Sequence, residues 1–416
     1  MESRQQFLLW RGRVFWTLWV TYAAYYVCRT NISFAIPQII KQHGFSETQL
    51  GWVGTGFFVA YAVGQLINGQ LVDRFGGRAL ILVGIAASVA LNVGFGFTHT
   101  LAAMIALWLL NGYAQSTGWS ATIKTLANWH RQDERGRASG VMGASYQVGN
   151  VVAWALAGGV VVAWGWRWVF WAPAAIFAAA GVLAFARLRN SPESMGLGTI
   201  EGAAANGEVR LGWRYSLAQS LGNPKVWVVA FTFFFMHTVR YGLVLWVPTY
   251  LERGLGLPPL RATWMAVGVP LAAAVGAVFA GWATDRFWGG RRAPLIVFLM
   301  LALSAAALVI AYLPAGSTAA LLGCLLVAGA AFGGADILLV GTLAMDIASR
   351  KGAGAAVGFI DAMGYMGAAI TGVGAGWLAQ HYGWSAPFLA WGVAAFLGAP
   401  LMATLWRYRP EPREYM

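Results

Sequence analysis

The chain has 416 residues, 59% of them hydrophobic and only 10% charged, and its mean hydropathy is +0.61. A water-soluble globular chain carries roughly 25% charged residues, which argues against a soluble enzyme before any motif is read. The formal charge of +13 could suggest nucleic acid, but it is dispersed over short loops between apolar runs, which argues against that partner.

About 20 apolar residues span a bilayer as a helix. Twelve such segments are predicted, over 15–39, 49–71, 79–97, 100–127, 137–163, 166–188, 224–251, 261–283, 293–313, 318–346, 353–380 and 384–406. They are long and lack period-two alternation, so the fold class is all-α and polytopic rather than a barrel. Positive residues precede the first run, as in a signal peptide. The run is too long and has no clear small-residue cleavage site, so it reads as a retained helix. Loops on one side hold RQQFLLWRGR, DRFGGR, HRQDERGR, ARLRN, DRFWGGRR, SRKG and WRYRPEPR, whereas the other side holds little beyond Lys41, Arg167, Arg253 and Arg261. This positive-inside asymmetry puts both termini in the cytoplasm. The basic excess then reads as topology, with some contact to anionic lipid heads. Cys28 and Cys324 fall inside predicted spans and are expected to be buried thiols rather than a disulfide.

The first span contains YAAYYVCRTNISFAIP. Arg29 follows Phe15 by 14 positions, or about 21 Å along a helix, well inside the hydrocarbon. An arginine there costs roughly 2.5–3.5 kcal/mol on translocon scales. Snorkelling to an interface is difficult from that depth. A pair with Asp336 or Asp361 is the purely structural alternative, and an anion site is the favoured reading. The second span is followed by GQLVDRFGGR and the eighth by GWATDRFWGGRR. Asp285 repeats Asp73, Trp264 repeats Trp52, Gly276 repeats Gly64 and Gly281 repeats Gly69, all 212 positions on (285 less 73). Arg240, in the seventh span, repeats Arg29 and is likewise followed eight residues later by a proline, Pro248 after Pro37. The repeat divides the chain into a six-helix half over 1–189, a central cytoplasmic loop over 190–222 and a second half over 223–416. Parallel repeats of this kind place a substrate site near the bilayer midplane between the halves, about which they rock.

The doubled G-x-x-x-D-R-x-G-G-R pattern resembles the cytoplasmic signature of the major facilitator superfamily. In that reading Gly69 allows two helices to approach closely. Asp73, Arg74, Arg78, Asp285 and Arg286 form gating contacts made in one access state and broken in the other. A tight turn that only anchors topology is the simpler alternative. The run YAAYYVCRTN, the block LNGYAQSTGWSATIKT, the DERGR turn, SPESMGLG, VRYGLVLWVPTYL and GFIDAMGYMG are similar to the organophosphate:phosphate antiporters of that superfamily, over nearly the whole chain. The resemblance implies a secondary transporter of glycerol phosphate, hexose phosphate or phosphoglycerate-like anions, driven by exchange with inorganic phosphate. It also implies that Arg29 and Arg240 are phosphate ligands and that Tyr22, Tyr26 and Tyr365 line the same cavity.

Several positions depart from the family pattern. Thr30 and Gln65 stand where basic residues are common. Tyr146, beside Gln147, stands where a substrate-site histidine occurs, and Pro270 stands where an acidic residue does. Asp336 and Asp361 occupy usually uncharged positions, and His237 replaces a tyrosine. The two aspartates have three readings. They pair with Arg29, Arg240 or Lys124, they titrate and couple protons, or they recognise an amine or hydroxyls on the cargo. Lys124 sits where the family often has a basic residue, but it also lies close enough to WHRQDER to reach the interface. His237 either shuttles protons or donates a hydrogen bond. Asp346, four residues before Arg350, reads as a local pair.

No G-x-x-x-x-G-K-[ST] loop, metal-spaced Cys/His cluster or credible nucleophile is present, so no ATP-driven transport by this chain alone, cofactor or enzyme activity is expected. The expected protein is a monomer of the bacterial inner membrane. Its partners are the bilayer, a small phosphorylated anion, and inorganic phosphate or protons. The rivals are a proton-coupled symporter of carboxylates such as sugar acids, a non-transporting sugar-phosphate sensor of the same fold, and, more weakly, a lipid flippase.

Overall fold

The computed structural model of the chain describes residues 2–197, 221–314, 316–347 and 353–408. Its helices, in order, are α1 (Glu2–Tyr25), α2 (Ile32–His43), α3 (Glu47–Phe75), α4 (Gly77–Phe95), α5 (Leu101–Trp129), α6 (Gln132–Trp164), α7 (Trp168–Arg187), α8 (Pro224–Thr249), α9 (Pro259–Trp288), α10 (Arg292–Tyr312), α11 (Thr318–Leu338), α12 (Ala344–Ile347), α13 (Ala353–Tyr382) and α14 (Ser385–Ala403). Among the described residues there is no strand, and ten helices are long and apolar enough to cross a membrane. Most of the predicted central loop, 198–220, lies outside the described residues, as does the end of the chain from 409.

Two predicted spans fall outside that group of ten. The span 100–127 is the unbroken α5, whose apolar character is diluted by buried Asn111, Gln115, Ser116 and Thr117. The span 15–39 is not a single helix. A tight 3₁₀ turn over Tyr26–Cys28 separates α1 from α2. Hydroxyl side chains compete there with the helical ladder. Thr30 Oγ1 donates to the Tyr26 carbonyl at 3.3 Å, and Ser33 Oγ to the Thr30 carbonyl at 3.0 Å. The Cys28 carbonyl at the break accepts from Asn111 Nδ2 at 3.0 Å and Asn92 Nδ2 at 3.4 Å. Asn31 Nδ2 donates across to the Val169 carbonyl at 2.9 Å. Irregular backbone at membrane depth survives where protein side chains satisfy it in this way.

The chain gathers into two compact units, Met1–Ile39 with Val59–Arg210, and Ile40–Phe58 with Leu211–Met416. In the first unit α4 runs along α5 and α7, and α1 along α6 and α7. In the second, α9 runs along α11, α13 along α8, and α10 along α14. The α9–α11 contact is made by small residues. A methyl on Gly276 would strike the main chain of Ala330, and one on Gly333 that of Ala273. Close backbone approach of this kind is how helices associate where lipid competes for apolar side chains. Gly64, the counterpart of Gly276, instead abuts the side chain of Ser116 on α5. Gly69 does not act as expected: a Cβ there meets nothing within 4 Å. The close approach in α3 therefore sits at Gly64.

Residues 47–58 of α3 precede the loop at 190–222 yet pack in the second unit. Thr55 Oγ1 donates to the Ala369 carbonyl at 2.6 Å and accepts from Val373 N at 3.0 Å. A Cβ on Gly51 would meet the Gly372 carbonyl oxygen at 2.6 Å, and Arg253 lies 3.4 Å from Glu47. Large apolar side chains, among them Val278, Val182, Trp164, Trp264 and Phe185, are exposed on the outside. Such a surface suits hydrocarbon rather than water.

Candidate functional site

In the first unit the break after Tyr25 brings Arg29 to the interior, where it is only 4% exposed. Its Nε donates to Gln115 Oε1 at 3.2 Å and its Nη2 to the Tyr61 hydroxyl at 3.3 Å. The rings of Tyr26 and Tyr61 lie 4.5 and 4.8 Å from the guanidinium carbon, within cation–π range. Gln115 is itself anchored, because its Nε2 donates to Ser88 Oγ at 2.9 Å and Ser88 Oγ donates to Asn111 Oδ1 at 2.6 Å. Asn111 also holds the Cys28 carbonyl. One buried polar chain thus fixes the helix break and aims the arginine.

Tyr22, Tyr26 and Tyr146 gather beside Arg29. The Tyr22 and Tyr26 rings are 6.1 Å apart, and Tyr26 stacks on Tyr146 at 6.2 Å. Gln147 is buried at the next position of α6. Gln65 lies behind them, donating to the Tyr61 hydroxyl at 3.3 Å. Neither Tyr61 nor Gln115 stands out as a site residue in the sequence. The available signal for Gln115 was an uncharged amide inside a predicted span.

In the second unit Arg240 is 6% exposed in the middle of α8. Its Nη1 donates to Asp336 Oδ1 at 2.5 Å. His237 Nε2 stands 3.4 Å from the same oxygen and 3.4 Å from the same guanidinium nitrogen. Arg240, one of the three partners expected for Asp336, is bonded to it, with His237 beside the pair. The His237 ring packs on Phe233 at 3.8 Å, Tyr241 at 5.0 Å and Tyr365 at 5.7 Å, and the Tyr241 hydroxyl donates to that of Tyr365 at 3.1 Å. Gly364 leaves room for this ring, since a Cβ there would come within 2.6 Å of His237 Nδ1. Asp336 lies at the end of α11, just before a wide π turn over Leu339–Leu343. Such turns recur at functional sites. Asp361 is half-buried on α13, one helical turn before Tyr365.

Lys124 is brought to the cytoplasmic signature, with its Nζ 2.6 Å from Asp73 Oδ1. Arg78 donates from its main chain to Asn190 Oδ1 and from Nη2 to the Phe185 carbonyl, both at 2.9 Å. Arg74 lies over Phe75 at 5.2 Å and Arg286 is exposed. The side chains of Asp285 and Asp346 lie outside the described residues. At the same end His130 donates Nδ1–H to the Leu126 carbonyl at 2.9 Å. Burial lowers its proton affinity below the ordinary imidazole value of 6.5. That bond and Glu134 oppose the shift, while Arg11 and Arg135 add to it.

The Major Facilitator Superfamily model matches residues 18–269 and 229–415. The glycerol-3-phosphate transporter of Bacillus subtilis (strain 168) is 31% identical over 95% of this chain and 92% of its own length. A probable hexose phosphate transport protein of Chlamydia trachomatis is 26% identical over 97% of this chain and 92% of its own. A solved bacterial homologue of the human lysosomal transporter Spinster superposes with a TM-score of 0.81 at 16% identity, covering 96% of this chain and 97% of that one.

Proposed function

The chain belongs to the Major Facilitator Superfamily, among its organophosphate:phosphate antiporters, and from that premise we propose that it exchanges a small organic phosphate for inorganic phosphate by alternating access. The observation that carries this reading is the burial of one guanidinium in each unit, Arg29 at the break between α1 and α2 and Arg240 on the membrane-spanning α8. A buried arginine is costly unless an anion answers it, and a phosphoryl group does so bidentately. The cargo named for the two relatives, glycerol 3-phosphate and hexose phosphate, sets the substrate class. Tyr22, Tyr26, Tyr146, Gln147 and Tyr365 offer hydroxyls, an amide and ring faces to the organic part, with His237, Asp336 and Asp361 beside them. Asp73, Arg74, Arg78, Asp285 and Arg286 serve the gate, joined by Lys124. The protein acts as a monomer in the bacterial inner membrane with both termini in the cytoplasm.

Purified protein in phosphate-loaded proteoliposomes is expected to take up labelled glycerol 3-phosphate or a hexose phosphate. Arg29→Lys and Arg240→Lys should each reduce that exchange about 100-fold, the equivalent of a lost bidentate ionic contact, with unchanged helical circular dichroism. Normal exchange in either variant removes that arginine from the site. Binding of phosphate esters without flux would mark a sensor instead.

A further inference from the structure

Arg240 already has a counter-anion within its own unit. Asp336 is 8% exposed and bonds the guanidinium directly, and His237, 2% exposed, abuts the same carboxylate oxygen. We propose that Asp336 is a tethered stand-in for the phosphoryl group, which allows the carrier to complete its return stroke empty and so to move phosphate in net fashion as well as by exchange. The idea rests on the transport function proposed above.

An alternating-access carrier must carry its buried guanidiniums through an occluded state. When cargo alone can neutralise them, the empty carrier is held back on the order of 100-fold or more, because an uncompensated buried ion enters the barrier. Only loaded carriers then cross, and transport is strict exchange. In this chain the charge of Arg240, one of the two guanidiniums, is cancelled by a carboxylate on α11, a helix of the same unit, which travels with it and removes that ion's share of the barrier. Cargo can still enter, because a phosphoryl group is itself a bidentate partner for the guanidinium. His237 Nε2, 3.4 Å from Asp336, is placed to donate to the carboxylate once it leaves Arg240. The π turn that follows Asp336 gives the end of α11 an irregular step at which such a shift can be absorbed. A carboxylate that served only to orient Arg240 would have no effect on the balance between net flux and exchange.

The test loads proteoliposomes with labelled inorganic phosphate, clamps the membrane potential with valinomycin and equal potassium, and compares efflux into phosphate-free potassium chloride with efflux into excess unlabelled phosphate. In the wild type, net efflux should exceed about a tenth of the exchange rate, and a lower ratio overturns the proposal. Asp336→Asn keeps the side-chain shape and removes the charge. Its net-to-exchange ratio should fall about 10-fold or more whatever its absolute exchange rate, while Asp336→Glu restores the ratio. An unchanged ratio in the Asn variant also overturns the proposal. If that variant does not assemble, the wild-type ratio decides alone. Folded wild-type protein with no phosphate exchange at all would sink the transport function itself, a failure distinct from this one.

Discussion

The amide of Gln115 faces two ways, accepting from Arg29 Nε at 3.2 Å and donating to Ser88 Oγ at 2.9 Å. Gln115→Leu would remove the acceptor of Arg29 Nε and the amide that donates to Ser88 Oγ, and a buried polar group that loses its partner costs about 1–3 kcal/mol. The melting temperature should fall, and phosphate affinity, read by isothermal titration, should weaken about 10-fold. Gln115→Glu is the sharper probe, because it places a carboxylate against Arg29. It should cut phosphate affinity by a similar factor with little loss of thermal stability, since the new charge competes with the anion. Arg29 and Arg240 were legible in the sequence because a permanent charge in an apolar run needs a reason. Gln115 and Tyr61 were not, because neutral amides and tyrosines are unremarkable in membrane helices. The partner of Asp336 was open among Arg29, Arg240 and Lys124. A repeat fixes which helices correspond but not which side chains meet, and the structure gives Arg240 to Asp336 and Asp73 to Lys124.

At the scale of elements, ten of the twelve predicted spans each correspond to one helix whose ends lie within about five residues of those expected. The tenth span, 318–346, passes from α11 through the π turn at Leu339–Leu343 into α12, and the first breaks at Tyr26–Cys28. Hydropathy does not register the break, because the run stays apolar on both sides and the break depends on side chains from α4 and α5. Asn111→Leu removes one of the two amides that hold the Cys28 carbonyl, together with the acceptor of Ser88. It should destabilise the protein by about 1–3 kcal/mol. Because the same chain aims Arg29, transport should fall further than stability. A thermal shift with unaltered phosphate affinity would separate the break from the site. In the second unit, Gly364→Ala would press on Phe233 and His237 and should cost about 1–3 kcal/mol by overpacking.

For the molecule as a whole, the chain gathers into two compact units, and the grouping of residues 40–58 with the second has no signal in the repeat offset, because it depends on contacts at Gly51 and Thr55. The Lys124–Asp73 pair is partly exposed, at 39% and 47%, so it contributes about 0–1 kcal/mol. Lys124→Ala should therefore leave thermal stability nearly unchanged while altering the exchange rate, and a large melting shift would mark the pair as structural. His130 binds its proton less readily folded than unfolded, so the folded protein favours neutral imidazole. Its contribution is complete above about pH 6.5 and is lost as pH falls below that value. Amide protection between Leu126 and Glu134, taken relative to the intrinsic exchange rate at each pH, should fall from about pH 7.5 to 5.5, and less so in His130→Gln. The aromatic exterior has a spectroscopic consequence. Indoles such as Trp16, Trp52, Trp164 and Trp264 are exposed, so native emission will respond to the surrounding acyl chains and be quenched by brominated phospholipids. Trp119 lies with its ring 4.9 Å from that of Tyr22, so in a chain stripped of its outer tryptophans its emission should report changes at Tyr22 when an anion is added.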